Sequence, residues 1–160
     1  MPKEVLEVLE ANERFYRALN ALDLAGMEHI WSHGSFVRCV HPGWELIVGW
    51  DAVRASWEGI FRGSGSGPSH SVEVADVSVH VVSDLGWVSC IERITLPRRS
   101  SGASSSSSLA VATNLFQRSS EPSEPSGPSM KAARWEMILH HASLLPLIVA
   151  ETMDSPEVIH

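Results

Sequence analysis

The 160-residue sequence predicts an α+β domain in which three amino-terminal helices pack on a strongly curved antiparallel sheet. Three observations predict it. Up to Phe61 the apolar residues recur at three- and four-residue steps, which is the helical period. From Val72 onward they alternate with polar residues, which is the period of strands. A composition of 44% hydrophobic and 19% charged residues is that of one packed domain.

The elements follow in order. From Val5 to Leu22, the residues Val5, Val8, Leu9, Phe15, Tyr16, Leu19 and Leu22 form one stripe, with Glu7, Glu10, Glu13, Arg14 and Arg17 between them. Asp23 offers a side-chain oxygen to cap a second helix through Trp31, which turns Leu24, Met27, Ile30 and Trp31 inward and ends near Gly34. Phe36 to Val40 reads as a short strand, His41-Pro42-Gly43 as a turn and Leu46 to Val48 as a further apolar stretch. Gly49 opens the third helix, with Trp50, Val53, Trp57, Ile60 and Phe61 on its stripe and Asp51 favourably placed in its first turn. The Gly- and Ser-rich run to Pro68 stops it. Four strands remain: Val72 to Val82 with a bulge near Ala75-Asp76, Trp87 to Leu96, Leu109 to Arg118, and Arg134 to Ser143. Ser-rich loop insertions occupy 98–108 and 119–133, so the domain is expected over 1–143. The tail, 144–160, carries an apolar piece broken by Pro146, too short to span a bilayer and suited to packing on the domain or on a protein partner.

Nineteen acidic against twelve basic residues give a formal charge of −7, so nothing draws the chain to phosphate backbones and no nucleic-acid partner is expected. Cys39 and Cys90 alone cannot build a disulfide framework or a four-thiolate zinc site, which suits a reducing compartment. The amino-terminal segment has neither the apolar core of a secretory signal nor the composition of a transit peptide, and no long apolar run exists, so a cytoplasmic location without membrane association is expected. His29 and His33 stand one helical turn apart, and His41 could complete a three-imidazole zinc site. No carboxylate accompanies them and Gly34 ends the helix there, so no metal is expected.

Helix, helix, short strand, helix and an antiparallel meander make an α+β cone. Asn12 to Leu19, Cys39-Val40-His41-Pro42-Gly43-Trp44, Gly49-Trp50, Ser56-Trp57, Ile60-Phe61, Ala112 to Phe116 and Trp135 to Ser143 together resemble the SnoaL-like branch of the nuclear transport factor 2 (NTF2)-like superfamily. The resemblance covers residues 4 to 143. It implies a cone-shaped pocket and often a homodimer through the outer sheet face. It does not imply one reaction, because similar proteins include ketosteroid isomerase, polyketide cyclases, scytalone dehydratase, limonene epoxide hydrolase and non-catalytic transport factors.

Strand alternation puts Cys90 and Glu92 on one face, Ala110, Ala112 and Asn114 together on the next strand, and His140 with Ala142 on the last. If both hairpins close about their loop centres, 92 pairs with 114 and 114 with 140. Glu92, Asn114 and His140 then form a polar row with alanines beside it, able to supply an acid, a base and an orienting amide. A hydrogen-bonded structural patch is the competing reading. His41, in its turn, can project over the cone mouth as a further acid or base. Tyr16, Trp31, Trp44, Trp50 and Trp57 are candidate walls for a flat apolar ligand, although helical spacing alone explains most of them as core. Apolar residues alternate on both sheet faces, with Trp87, Ile91, Leu109, Val111, Leu115, Trp135, Met137 and Leu139 opposite the polar row; alternation leaves open which face the helices cover, and the face without that cover predicts a homodimer.

Two functions stay open. One is a pocket protein that binds a small apolar ligand or another protein. The other is an isomerase, cyclase or dehydratase that moves protons with pocket residues and needs no cofactor.

Overall fold

Helix α1 (Lys3–Ala21) buries Val8, Ala11, Asn12, Phe15, Tyr16, Ala18 and Leu19 in the computed structural model, which describes residues 1–63, 71–96, 106–119 and 134–146. It ends where Leu22 takes a left-handed φ of 53°. The Asp23 carboxylate then accepts the Gly26 amide at 3.0 Å, the expected cap of α2 (Leu24–Ile30). Strands β1 (Arg38–Val40) and β2 (Ile47–Val48) flank the His41-Pro42-Gly43 turn, and α3 (Trp50–Gly63) follows. The long strands are β3 (Ser71–Val82), β4 (Leu85–Thr95), β5 (Ser107–Arg118) and β6 (Trp135–Leu144). Strand β5 starts inside the expected Ser-rich loop, Ser107 pairing with Thr95. Residues 98–105 and 120–133 of the Ser-rich loops and the tail beyond Pro146 lie outside the described residues.

The sheet is curved and open, with strand order β2-β1-β6-β5-β4-β3. Strands β3 to β6 make the expected antiparallel meander, but β1 joins β6 in parallel, with Cys39 opposite His140, so the whole sheet is mixed. The chain reaches β6 from β1 only through β2, α3 and the entire meander, and a crossover of that kind delivers parallel neighbours. It also brings the His41 turn beside β6.

A bulge shifts register between Ala75 and Ser78, as expected, with Asp76 at φ 52°. A second one was not expected. Leu115 pairs with Leu139 but Phe116 pairs with Met137, leaving Ile138 as the extra residue. Its consequence corrects the sequence reading: Trp135 and Met137 turn inward and are buried, instead of joining the outer face. Helix α1 lies directly on β4, since a Cβ built at Gly86 would sit 2.7 Å from Val8 Cγ2. Asn20 ties the same helix to the edge strand, its side chain accepting from the Val72 amide at 2.8 Å and donating to the Val72 carbonyl at 3.0 Å.

Candidate functional site

Beneath α1, the inward positions of β4, β5 and β6 carry the polar residues singled out from the sequence. Glu92, Asn114 and His140 are all at most 2% exposed. Asn114 pairs with His140 as expected, but Glu92 pairs with Ala110 and Asn114 with Val88. The β4–β5 loop does not close about its centre. The displacement is an even number of residues, so Glu92 keeps the inward face.

Tyr16 of α1 reconnects what the register separates. Its hydroxyl donates to Glu92 Oε1 at 2.7 Å and accepts from Asn114 Nδ2 at 3.2 Å. The same Nδ2 donates to Asn12 Oδ1 at 2.8 Å. With the amide nitrogen of Asn114 engaged as donor, its Oδ1 is the acceptor that meets His140 Nδ1 at 2.6 Å, so Nδ1 carries the imidazole proton. His140 Nε2 is therefore a bare lone pair, 4.0 Å from Glu92 Oε1. With the imidazole neutral this is contact, not an ion pair. Burial pushes His140 down to about 3, helped by the nearby His41 and His141, and burial pushes the Glu92 carboxyl above its usual range while the Tyr16 hydrogen bond pulls it partly back.

His41 does not stand free over a cone mouth. It is buried edge-on against Trp57 at 4.4 Å and Trp44 at 4.9 Å between ring centres. Ser56 Oγ donates its one hydrogen to the Val53 carbonyl at 2.7 Å, so it accepts from His41 Nε2 at 2.9 Å, fixing the tautomer opposite to that of His140. Burial alone lowers His41 to about 4.

Glu92, His140, His41, Trp57 and Trp44 line one cavity of about 270 Å³, with Leu19, Pro42, Ile60, Val72, Ile94 and Leu96 completing it. Trp44 is half exposed at its rim, while Trp57 is buried and its indole N–H has no acceptor among the described residues. Tyr16 and Asn114 sit behind Glu92 and His140 rather than on the wall. Trp31 and Trp50 are not brought to the cavity: they pack on each other at 6.4 Å, and Trp50 stacks under His33 at 4.4 Å. The His33 ring is engaged there and with the Glu28 carbonyl, apart from His41.

Asn12 and Ser56 were missed as site residues. Asn12 stands four residues from both Val8 and Tyr16, a polar residue on the buried stripe of α1, and that position was the available signal. Ser56 had none, because its role depends on the fold bringing β1 beside α3.

A proposed dehydratase of the NTF2-like family from Streptomyces avermitilis is 29% identical, with a TM-score of 0.69 over 89% of this chain and 96% of that one. A proposed calcium/calmodulin-dependent protein kinase type II association domain from Thiobacillus denitrificans is 27% identical, with a TM-score of 0.61 over 85% and 93%. Among curated proteins, the F-box protein SKIP8 of Arabidopsis thaliana is 21% identical over 138 residues, 86% of this chain and 49% of the relative, so the chain spans about half that protein's length. The SnoaL-like domain family matches residues 8–147, nearly the whole described fold. The chain belongs to the SnoaL-like family, within the NTF2-like superfamily.

Proposed function

We propose that the cavity binds a small, uncharged, largely apolar molecule through one oxygen atom placed between His140 Nε2 and the Glu92 carboxyl. The separation of those groups carries the reading. At 4.0 Å they are too far apart to bond each other, yet a single oxygen can sit about 2.8 Å from both. No lysine or arginine is among the described lining residues, so nothing there favours an anion, and about 270 Å³ falls at the small end of ligand sites. Because the bare Nε2 accepts, the ligand oxygen must donate to it, and a thermal-shift screen of small uncharged alcohols tests the reading. Hits should stabilise the wild type and lose that effect in Glu92→Gln; a screen in which only anions bind would overturn it.

A second reading, proton transfer of the isomerase or dehydratase type, is favoured by the paired protonation preferences. A carboxyl that burial makes a weaker acid and an imidazole with a bare Nε2 can act as acid and base on one carbonyl. Similarity to a proposed dehydratase supports the same reading. Deuterium exchange next to the carbonyl of a bound ketone, in heavy water, should be faster with wild type than with His140→Gln. Equal rates would leave binding as the function.

Self-association through the outer sheet face belongs to the same proposal. Trp87, Leu109 and Val111 are exposed there, and one similar structure is a proposed association domain. Sedimentation should show a dimer that Trp87→Lys dissociates, and a monomer at micromolar concentration would contradict it.

A further inference from the structure

A larger cavity, about 560 Å³, lies between α1 and α2 and shares no lining residue with the Glu92–His140 cavity. Its floor is apolar, with Ala11, Ala18, Ile30 and the buried Trp135, while Arg14, Arg17 and Arg134 stand around it. The chain holds twelve cations against nineteen acids, yet this groove gathers three arginines and a single carboxylate, Asp23. That carboxylate is committed to the Gly26 amide.

The groove arginines are weakly matched. On α3, Arg54 is held by both Glu28 and Glu58, and Arg62 meets Glu58 at 2.6 Å. Among the described residues, Arg14 has only Glu10 at 3.6 Å, Arg134 only Glu136 at 3.9 Å, and Arg17 no carboxylate partner. An acidic chain that pairs guanidinium groups only loosely around an apolar crevice presents forked donors above an apolar floor, which suits an anionic head on an apolar body.

We infer that this groove is a second ligand site, for a small organic anion: a carboxylate or phosphate monoester held by Arg14, Arg17 and Arg134, with its apolar body on Ala11, Ala18, Ile30 and Trp135. The volume is within the range of small-molecule sites, roughly 300–1,000 Å³. A polyanion is not the occupant, because a chain of net charge −7 repels it over its length.

Calorimetric titration of the full chain at low salt, with octyl phosphate, octanoate, octanol and inorganic phosphate as probes, tests the site. Octyl phosphate or octanoate should bind, and which binds more tightly distinguishes the two head groups. Arg17→Gln should weaken binding by about threefold and Arg14→Gln with Arg17→Gln by about tenfold, as expected for solvent-exposed charge pairs. Both side chains are exposed, and circular dichroism should show the fold retained. Arg62→Gln removes the same charge elsewhere and should leave affinity unchanged. Octanol binding as tightly as octyl phosphate to Glu92→Gln, in which the other cavity no longer takes an alcohol, would overturn the proposal, as would inorganic phosphate binding equally well, or affinity that ignores Arg14 and Arg17.

Discussion

Acidification should unfold this protein well before its surface carboxylates alone would cause it to. His41 and His140 are buried, and their imidazoles are pushed down to about 4 and about 3, whereas an unfolded histidine titrates near ~6.5. The folded value lies below the unfolded one. Between them the unfolded chain binds more protons, so stability falls as pH falls through that window. Two such groups give a slope of about 2.7 kcal/mol per pH unit between about pH 6 and pH 4. Glu92 acts in the opposite sense. Its carboxyl is raised by burial, so the folded state takes that proton first and cancels about one histidine's share wherever Glu92 titrates. The two histidines alone remove roughly 4 kcal/mol from about pH 6.5 to about pH 4.5, an upper bound that Glu92 lowers, and still a large part of the ~5–15 kcal/mol that holds a domain folded. Urea denaturation at a series of pH values reads this directly, and His41→Gln should halve the histidine slope. A denaturation midpoint that stays constant across the range, or nuclear magnetic resonance showing either imidazole titrating at its ordinary value, would refute the reasoning.

Other expectations follow from the same contacts. Tyr16→Phe removes the hydroxyl that bonds Glu92 and Asn114, which should cost about 1–3 kcal/mol and raise the Glu92 carboxyl further, visible in its side-chain carbon resonance. Trp57→Ala opens the wall shared by Phe15, His41 and Phe61 and should cost about 3–5 kcal/mol by urea denaturation. Gly86→Ala drives a methyl into Val8 and should cost about 1–3 kcal/mol; adding Val8→Ala should recover part of what Gly86→Ala loses, giving a non-additive double mutant.

Much of this arrangement is legible in the sequence because periodicity reports burial. The stripe on α1, the Asp23 cap, the bulge at Ala75-Asp76 and the shared face of Glu92, Asn114 and His140 all follow from local pattern, whereas alternation alone does not say that this face is the inward one. Register did not follow, because a Ser-rich loop gives no local signal for where it closes, and Glu92 accordingly pairs with Ala110. Ile138 is an ordinary strand residue by composition, so the bulge it makes, which turns Trp135 and Met137 inward, carries no mark in the sequence. The tryptophans divide for a similar reason. The sequence puts Trp31, Trp50 and Trp57 on helical stripes, but α2 ends at Ile30 and Trp31 is extended against Met137, Trp50 opens α3 against Trp31, and Trp57, two turns further along α3, reaches the cavity beside His41.

The nitrogen resonances of the His140 side chain test the central claim most directly. In the free protein near pH 7, Nδ1 should appear protonated and Nε2 bare, and adding an uncharged hit from the screen should move Nε2 strongly while Nδ1, held by Asn114, hardly changes. A protonated Nε2 in the free protein, or a bound ligand that leaves Nε2 unmoved, would contradict the account of the cavity.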